Sequence, residues 1–241
     1  ILSNRQEKPV VALTGPSGSG KTTTAMKIEK LLDESGVETH TISMDNYFKT
    51  LDPKTAPRTA DGLVDFESPK CMDMDLLNSH FAKLSKGETI VVPKFEFARQ
   101  MRNDARGTPL KLGKNEIAIF EGIHALNPEL TGLVKGDDIY RIYAGLREEY
   151  CIDGRRVINT QDIRLCRRTL RDAAARGRSP EKTLAMWDRV LDGETRYIKG
   201  FKTTADFLLD TSFTYELGLI AKLLRPVSQR FTLEGHNAEL W

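Results

Sequence analysis

Eight residues, Gly15-Pro16-Ser17-Gly18-Ser19-Gly20-Lys21-Thr22, constrain this chain more than any other feature. They satisfy the spacing G-x-x-x-x-G-K-[ST] and lie between an apolar run, Pro9 to Thr14, and an amphipathic stretch from Thr22 to about Ser35. The run reads as a buried strand bounded by Gly15. The stretch reads as a helix, with Ala25, Ile28, Leu31 and Leu32 at helical spacing and Gly36 placed to cap its end. A strand, a glycine-rich turn and a helix in that order aim successive backbone N–H groups at one spot before a helix N-terminus, where phosphate oxygens bind. Lys21 then reaches the outer phosphates and the Thr22 hydroxyl is offered to Mg²⁺. Gly15, Ser17, Gly18, Ser19, Gly20, Lys21, Thr22 and Thr23 are the candidate nucleotide-binding residues.

Apolar and β-branched runs predict further strands at Val37 to Met44, Thr89 to Val92, Glu116 to Phe120, Ile139 to Ala144 and Ala205 to Leu209. Helices are expected from Ser68-Pro69 to Gly87, from Gln161 to Ala175, from Pro180 to about Leu191 and from Tyr215 to Leu224. Asp52 to Asp65 reads as an exposed loop, and basic Phe95 to Lys114 as a hairpin or irregular insertion. Strands alternating with helices argue for a parallel sheet covered on both faces. Residues 1–8 read as a leader or linker, 9–224 as one domain with a lid at about 161–180, and 225–241 as a tail.

Lys plus Arg number 36 against 34 Asp plus Glu, a net charge of +2, which argues against a polyanion-coating protein and a stable nucleic-acid partner. No apolar run approaches the roughly 18 residues of a membrane span, and three scattered cysteines fit a reducing compartment, so a cytoplasmic location is expected. The chain begins without Met, which suggests a piece of something longer.

Asp45 ends the second strand and Glu121 ends the run Ile117-Ala118-Ile119-Phe120, so both carboxylates should project from C-terminal strand edges, where ligands bind in open α/β sheets. Phosphoryl transfer to an alcohol needs one carboxylate for the hydroxyl proton, suiting Asp45, and another to hold Mg²⁺, suiting Glu121. Between Arg164 and Arg178 there are six arginines and one acid, Asp172. Alone, a basic helix is more often a solvated face; after a phosphate loop and two placed acids it reads as a lid closing over a triphosphate.

These residues resemble the uridine kinases, within the uridine kinase and phosphoribulokinase group, over roughly Val10 to Leu224. Met44-Asp45-Asn46-Tyr47-Phe48 is similar to the segment holding the catalytic aspartate, and Asp65-Phe66-Glu67-Ser68-Pro69 to the Asn-Phe-Asp-His-Pro segment whose acid binds ribose hydroxyls. Phe120-Glu121-Gly122-Ile123 matches the stretch with the Mg-associated glutamate, and Asp162-Ile163-Arg164-Leu165 through Arg178 resembles the lid. The resemblance implies an α/β P-loop NTPase fold of the nucleoside kinase kind with a five-stranded parallel core, an Arg-rich helical lid and a small acceptor-binding insertion. It further implies Mg²⁺ with ATP or GTP as donor, and transfer to the 5′-hydroxyl of a pyrimidine nucleoside.

The expected roles are Asp45, Lys21 and Arg171 in catalysis, Arg176 and Arg178 on the donor phosphates, and Thr22, Glu121 and Asp45 at the metal. Glu67, Phe95, Gln100, Arg102, Arg168 and Tyr47 are expected around the acceptor. Phe95 and Gln100 stand where uridine kinases carry a tyrosine and a histidine, and Glu67 replaces a shorter Asp, so acceptor identity is the least constrained point. A kinase for another small alcohol, or a nucleotide-sensing module without transfer activity, are the competing readings. The stretch Thr183 to Ile198 resembles a bacterial branch whose kinase half follows other domains, and a homo-oligomer is compatible with the sequence.

Overall fold

The computed structural model describes residues 1–97, 99–128 and 138–228. Nine strands are described: β1 (Val10–Thr14), β2 (Thr39–Ser43), β3 (Ile90–Glu96), β4 (Met101–Leu110), β5 (Ile117–Glu121), β6 (Ile139–Gly145), β7 (Tyr150–Ile152), β8 (Arg155–Ile158) and β9 (Phe207–Asp210). Five of them form a parallel sheet in the order β2–β5–β1–β6–β9. The described helices are α1 (Lys21–Glu34), α2 (Met74–Ser85), α3 (Thr160–Ala175), α4 (Pro180–Ala185), α5 (Trp187–Tyr197) and α6 (Glu216–Ser228).

β1 is central and buried throughout, so its apolar run serves two cores. Val10 and Ala12 pack with Ile42, Phe120 and the α2 residues Leu77 and Phe81, whereas Val11 and Leu13 pack with Ile117, Ile119 and the α1 residues Ala25 and Leu32. The two-residue period of a strand makes this division, with successive side chains on opposite faces. Each large apolar side chain contributes roughly 1.5–3 kcal/mol on burial, so the strand ends that carry the chemistry stand on a rigid base.

The expected strand at Thr89 to Val92 exists but is not in the main sheet. β5 is already hydrogen-bonded to β2 and β1 on its two edges, and β3 instead pairs antiparallel with β4. The insertion is thus a hairpin of two long arms. The helix expected from Ser68-Pro69 starts at Met74, because Asp73 caps it by accepting from the Leu76 N–H at 3.1 Å; Pro69–Cys71 is a 3₁₀ turn. The helix expected from Pro180 to Leu191 is broken at Met186 into α4 and α5, and Trp187 is buried with Leu165, Leu184 and Val190. A second hairpin, β7–β8, was not anticipated. Its turn is Asp153-Gly154 with φ of 49° and 75°, the two left-handed residues a tight hairpin turn requires, and the Asp-Gly pair was its visible signal. Of the expected tail, residues 229–241 lie outside the described residues.

Candidate active site

The turn from Gly15 to Gly20 is pressed between β6 and α3. A Cβ on Gly15 would meet the Ala144 carbonyl oxygen at 2.0 Å, and one on Gly18, whose φ is 76°, would meet that of Arg164 at 2.5 Å. Glycine is required at both for lack of space as well as for backbone angle. Lys21 Nζ folds across the loop and donates to the Pro16 carbonyl at 3.1 Å. Desolvation lowers the Lys21 pKa to about 8, against the opposing pull of Glu121 and Asp45. The Ser19 hydroxyl is buried inside the loop without a hydrogen-bond partner.

Glu121, the last residue of β5, is buried and accepts two hydroxyl hydrogen bonds on Oε1, from Thr22 at 3.2 Å and Ser43 at 3.1 Å. Ser43 pairs in register with Glu121 across β2 and β5, which explains a contact that the sequence alone did not suggest. A carboxylate and a hydroxyl held together are the hard oxygen donors that Mg²⁺ takes, so the donor set fits the ion. Asp45 lies in a 3₁₀ turn directly after β2, with Oδ2 at 3.2 Å from Arg176 Nη2. Glu67 is enclosed; burial pushes its pKa up, against the pull of Arg168 at 3.8 Å and of Lys21.

The arginines expected in a lid lie on α3 and the turn after it. Asn159 and Asp162 form a reciprocal capping box at its start. Arg168 donates to the Ser17 hydroxyl at 2.7 Å, and Arg164 donates to the Ser17 carbonyl at 3.2 Å while paired with buried Glu194. Arg171, Arg178, Arg168 and Arg176 converge on Asp172, at 2.7, 3.3, 3.5 and 3.9 Å, and the Asp172 side chain is fully buried among them. Arg176 also lies over the Phe97 ring, 4.8 Å from its centroid.

Four residues expected at the acceptor lie elsewhere or face otherwise. Tyr47 is wholly inside the core, its hydroxyl bonded to His80 Nδ1 at 2.9 Å, because the apolar neighbours Met44 and Met72 draw the ring inward. Gln100 sits exposed at the β3–β4 turn with φ of 53°, donating its amide to the Phe97 carbonyl at 2.7 Å. Arg102 is pinned to Asp73 at 2.6 Å, beside the start of α2. Phe95 is buried against Phe48 and Phe97, so Phe97, in the turn just past the end of β3, is the more open ring.

A cavity of about 620 Å³ opens beside the loop, lined by Gly20, Lys21, Thr23, Arg171, Thr211 and Phe213 among others. Arg167 frames it, donating to the Thr211 carbonyl at 2.8 Å and gripping Glu216 at 2.6 Å. The sequence reading missed this wall, since Thr211 and Phe213 carry no motif and reach the loop only through the position of β9 beside β6. Nor did it mark the central place of Asp172; His124, which shares no ligand spacing with the other histidines, read as structural or surface.

A parallel sheet with β1 at its centre and a phosphate cradle at its C-terminal edge is the P-loop NTPase fold in its kinase form. The chain belongs to the Phosphoribulokinase / Uridine kinase family, whose profile matches residues 10–140. It is 26% identical over 201 residues to the uridine kinase of Deinococcus deserti, covering 83% of this chain and 86% of that one. It is 29% identical over 202 residues to the uridine kinase of Borrelia turicatae, covering 83% and 85%. Among solved structures, phosphoribulokinase from Rhodobacter spheroides superimposes with a TM-score of 0.54 at 16% identity, covering 86% of this chain and 74% of that one. D-glycerate 3-kinase from Cryptococcus neoformans gives 0.53 at 16%, covering 78% of each. The protein is therefore a kinase. Among the described residues no helix is long and apolar enough to cross a membrane.

Proposed function

We propose that the protein transfers the γ-phosphoryl group of ATP to the 5′-hydroxyl of a nucleoside, uridine or cytidine, as part of pyrimidine salvage in the cytoplasm. The observation that carries this reading is the position of Asp45 in the turn directly after β2, with Glu121, Asp45 and Glu67 all acting on the charge of Lys21 in the phosphate loop. In this reading Asp45 takes the proton of the attacking hydroxyl as its oxygen bonds to phosphorus, and ADP leaves as the β–γ bridging bond breaks. Glu67 and Arg168 hold the acceptor. Lys21 and the loop amides bind the donor phosphates, and Arg171, Arg176 and Arg178 close over them. Thr22 and Glu121 would hold Mg²⁺, which when bound offsets negative charge on the phosphate oxygens. The resemblance of the later helices to kinases that follow other domains supports a place within a longer chain.

The test is a kinase assay over uridine, cytidine, ribulose 5-phosphate and glycerate. Uridine or cytidine should be turned over fastest, and turnover confined to the other two overturns the nucleoside assignment.

The lowered Lys21 pKa also gives a signed pH effect. Free Lys21 loses its proton from about pH 8, whereas phosphate oxygens favour the charged form. ATP binding above pH 8 must therefore take up a proton, and the affinity should fall between pH 8 and pH 10. Calorimetry in buffers of different ionisation enthalpy checks this, with no proton uptake at pH 9 as the contrary result.

A further inference from the structure

His124 is among the most enclosed polar side chains of the protein, 1% exposed; neither ring nitrogen makes a hydrogen bond of full geometry, although the Glu67 backbone comes near enough to favour a proton on the ring. Buried polar groups almost always find partners, so a ring with a nitrogen left over beside a ligand site points to a ligand. The residue follows Glu121 by three positions, in a turn that holds it firmly. Thr14 donates its hydroxyl to the Gly122 and Ile123 carbonyls at 3.0 and 2.8 Å, and the Asn127 N–H donates to the His124 carbonyl at 2.9 Å.

The ring lies beside Glu67, which the reading above gives to the acceptor. It meets the Tyr197 ring edge-on at 6.4 Å, and Tyr197 is anchored through its hydroxyl to Asp65 at 3.0 Å. Lys21 and the backbone of Glu67 face it as well. Burial, reinforced by Lys21, lowers the His124 pKa to about 4, and the Glu67 backbone only partly opposes this, so the imidazole is neutral at pH 7. A neutral ring has one N–H and one lone pair. The Glu67 carbonyl favours the proton on the nitrogen facing it, which leaves the other nitrogen as an acceptor. Glu67 is itself held in place: a Cβ on Gly193 of α5 would lie 2.4 Å from Glu67 Cβ, so helix and side chain are in close contact. The β3–β4 hairpin offers no substitute, since Gln100 is turned outward and Phe95 is apolar.

We propose that His124 is an acceptor-binding residue that takes a hydrogen bond from one substrate hydroxyl while Glu67 takes one from its neighbour, so that the site selects a vicinal diol. This rests on the kinase reading above but not on the acceptor being a nucleoside. A ribose ring and a sugar phosphate such as ribulose 5-phosphate both carry such a diol apart from the hydroxyl that is phosphorylated.

The experiment measures kcat and KM for the best acceptor of the four-compound panel, and for its analogues lacking one hydroxyl of the diol, in wild type, His124→Gln and His124→Leu. For uridine the analogues are 2′-deoxyuridine and 3′-deoxyuridine. Wild type should discriminate against one analogue by about 10- to 100-fold in kcat/KM, because the site is left with an unmatched polar group. His124→Leu should lose a similar factor on the diol, mainly in KM, and discriminate no longer at that hydroxyl. His124→Gln, which keeps an acceptor atom, should retain part of it and decides the matter if the leucine variant does not fold. KM for ATP should stay within about twofold.

Equal losses on the diol and its analogues, an unchanged acceptor KM, or a matching rise in the KM for ATP would each overturn the assignment. If uridine and cytidine are idle while ribulose 5-phosphate shows the pattern, the nucleoside reading falls and His124 stands; turnover of glycerate alone overturns both, since it has no diol apart from the reacting hydroxyl. If uridine is turned over and the variants behave as wild type, the reverse holds. Turnover of none of the four removes both.

Discussion

Asp45→Asn should lower kcat for nucleoside phosphorylation by about 10²- to 10⁴-fold, the range for loss of a positioned general base, while ATP still binds. The amide has the shape of the carboxylate but cannot take the hydroxyl proton. Its other effect is on the lid, because Asp45 is the partner of Arg176 at 3.2 Å. That pair is about one-third exposed, its side chains 28% and 33% accessible, so water screens it and its loss alone is worth no more than about 1 kcal/mol. A drop far larger than tenfold must therefore come from the chemistry. Steady-state kinetics with separate titration of ATP binding checks this. Acceptor-independent ATP hydrolysis that Asp45→Asn leaves untouched would instead favour a nucleotide sensor.

Asp172→Asn should be the most destabilising isosteric change in the lid. Four guanidinium groups lie within 3.9 Å of a side chain with no exposure, and removing the charge leaves them facing one another. Breaking a buried ion pair costs about 3–5 kcal/mol, and because Arg171, Arg176 and Arg178 keep contact with water the lower end applies. Tm should fall on the order of 10 °C. The Arg176 and Arg178 N–H groups both donate to the Asp172 carbonyl at 3.1 Å, and these bonds survive the substitution, so the loss is electrostatic.

The pH dependence separates this from simple misfolding. Burial alone would raise the Asp172 pKa, but Arg171, Arg168 and Arg176 overcome it and hold the carboxyl below its ordinary value. A depressed acid stabilises the fold above its unfolded pKa of about 3.9, and that contribution is lost as pH falls through the folded value. Wild type and variant should therefore differ by a constant amount from pH 5 to 8, and the gap should narrow as pH falls below about 4. A gap that does not narrow at all on acidification below about pH 4, measured by thermal melts, would mean that the aspartate acts through packing rather than charge.

Most of the sheet was legible because its strands announce themselves locally. Five apolar runs became the five parallel strands, and the loop after β1 stands between strand and helix by spacing alone. The hairpin was less so, since Thr89 to Val92 has the composition of a core strand and only the saturation of both β5 edges excludes it from the sheet. Tyr47 shows the same limit at a single side chain. Two residues past Asp45, it could turn to the cleft or to the core, and the choice was made by His80 and the apolar wall of α2, which lie far along the chain.

By itself the sequence determined that a phosphate-binding loop joins β1 to α1, that carboxylates follow β2 and β5, and that arginines crowd one helix, because each depends only on spacing along a few residues. Tertiary structure alone decided what those groups face. Thr22 meets Glu121 across 99 residues, Arg168 meets Ser17 across 151, and His124 is walled in beside the backbone of Glu67. Hydrogen bonds and desolvation act over a few ångströms of space, and no local pattern records which distant residues the packed sheet brings within that reach.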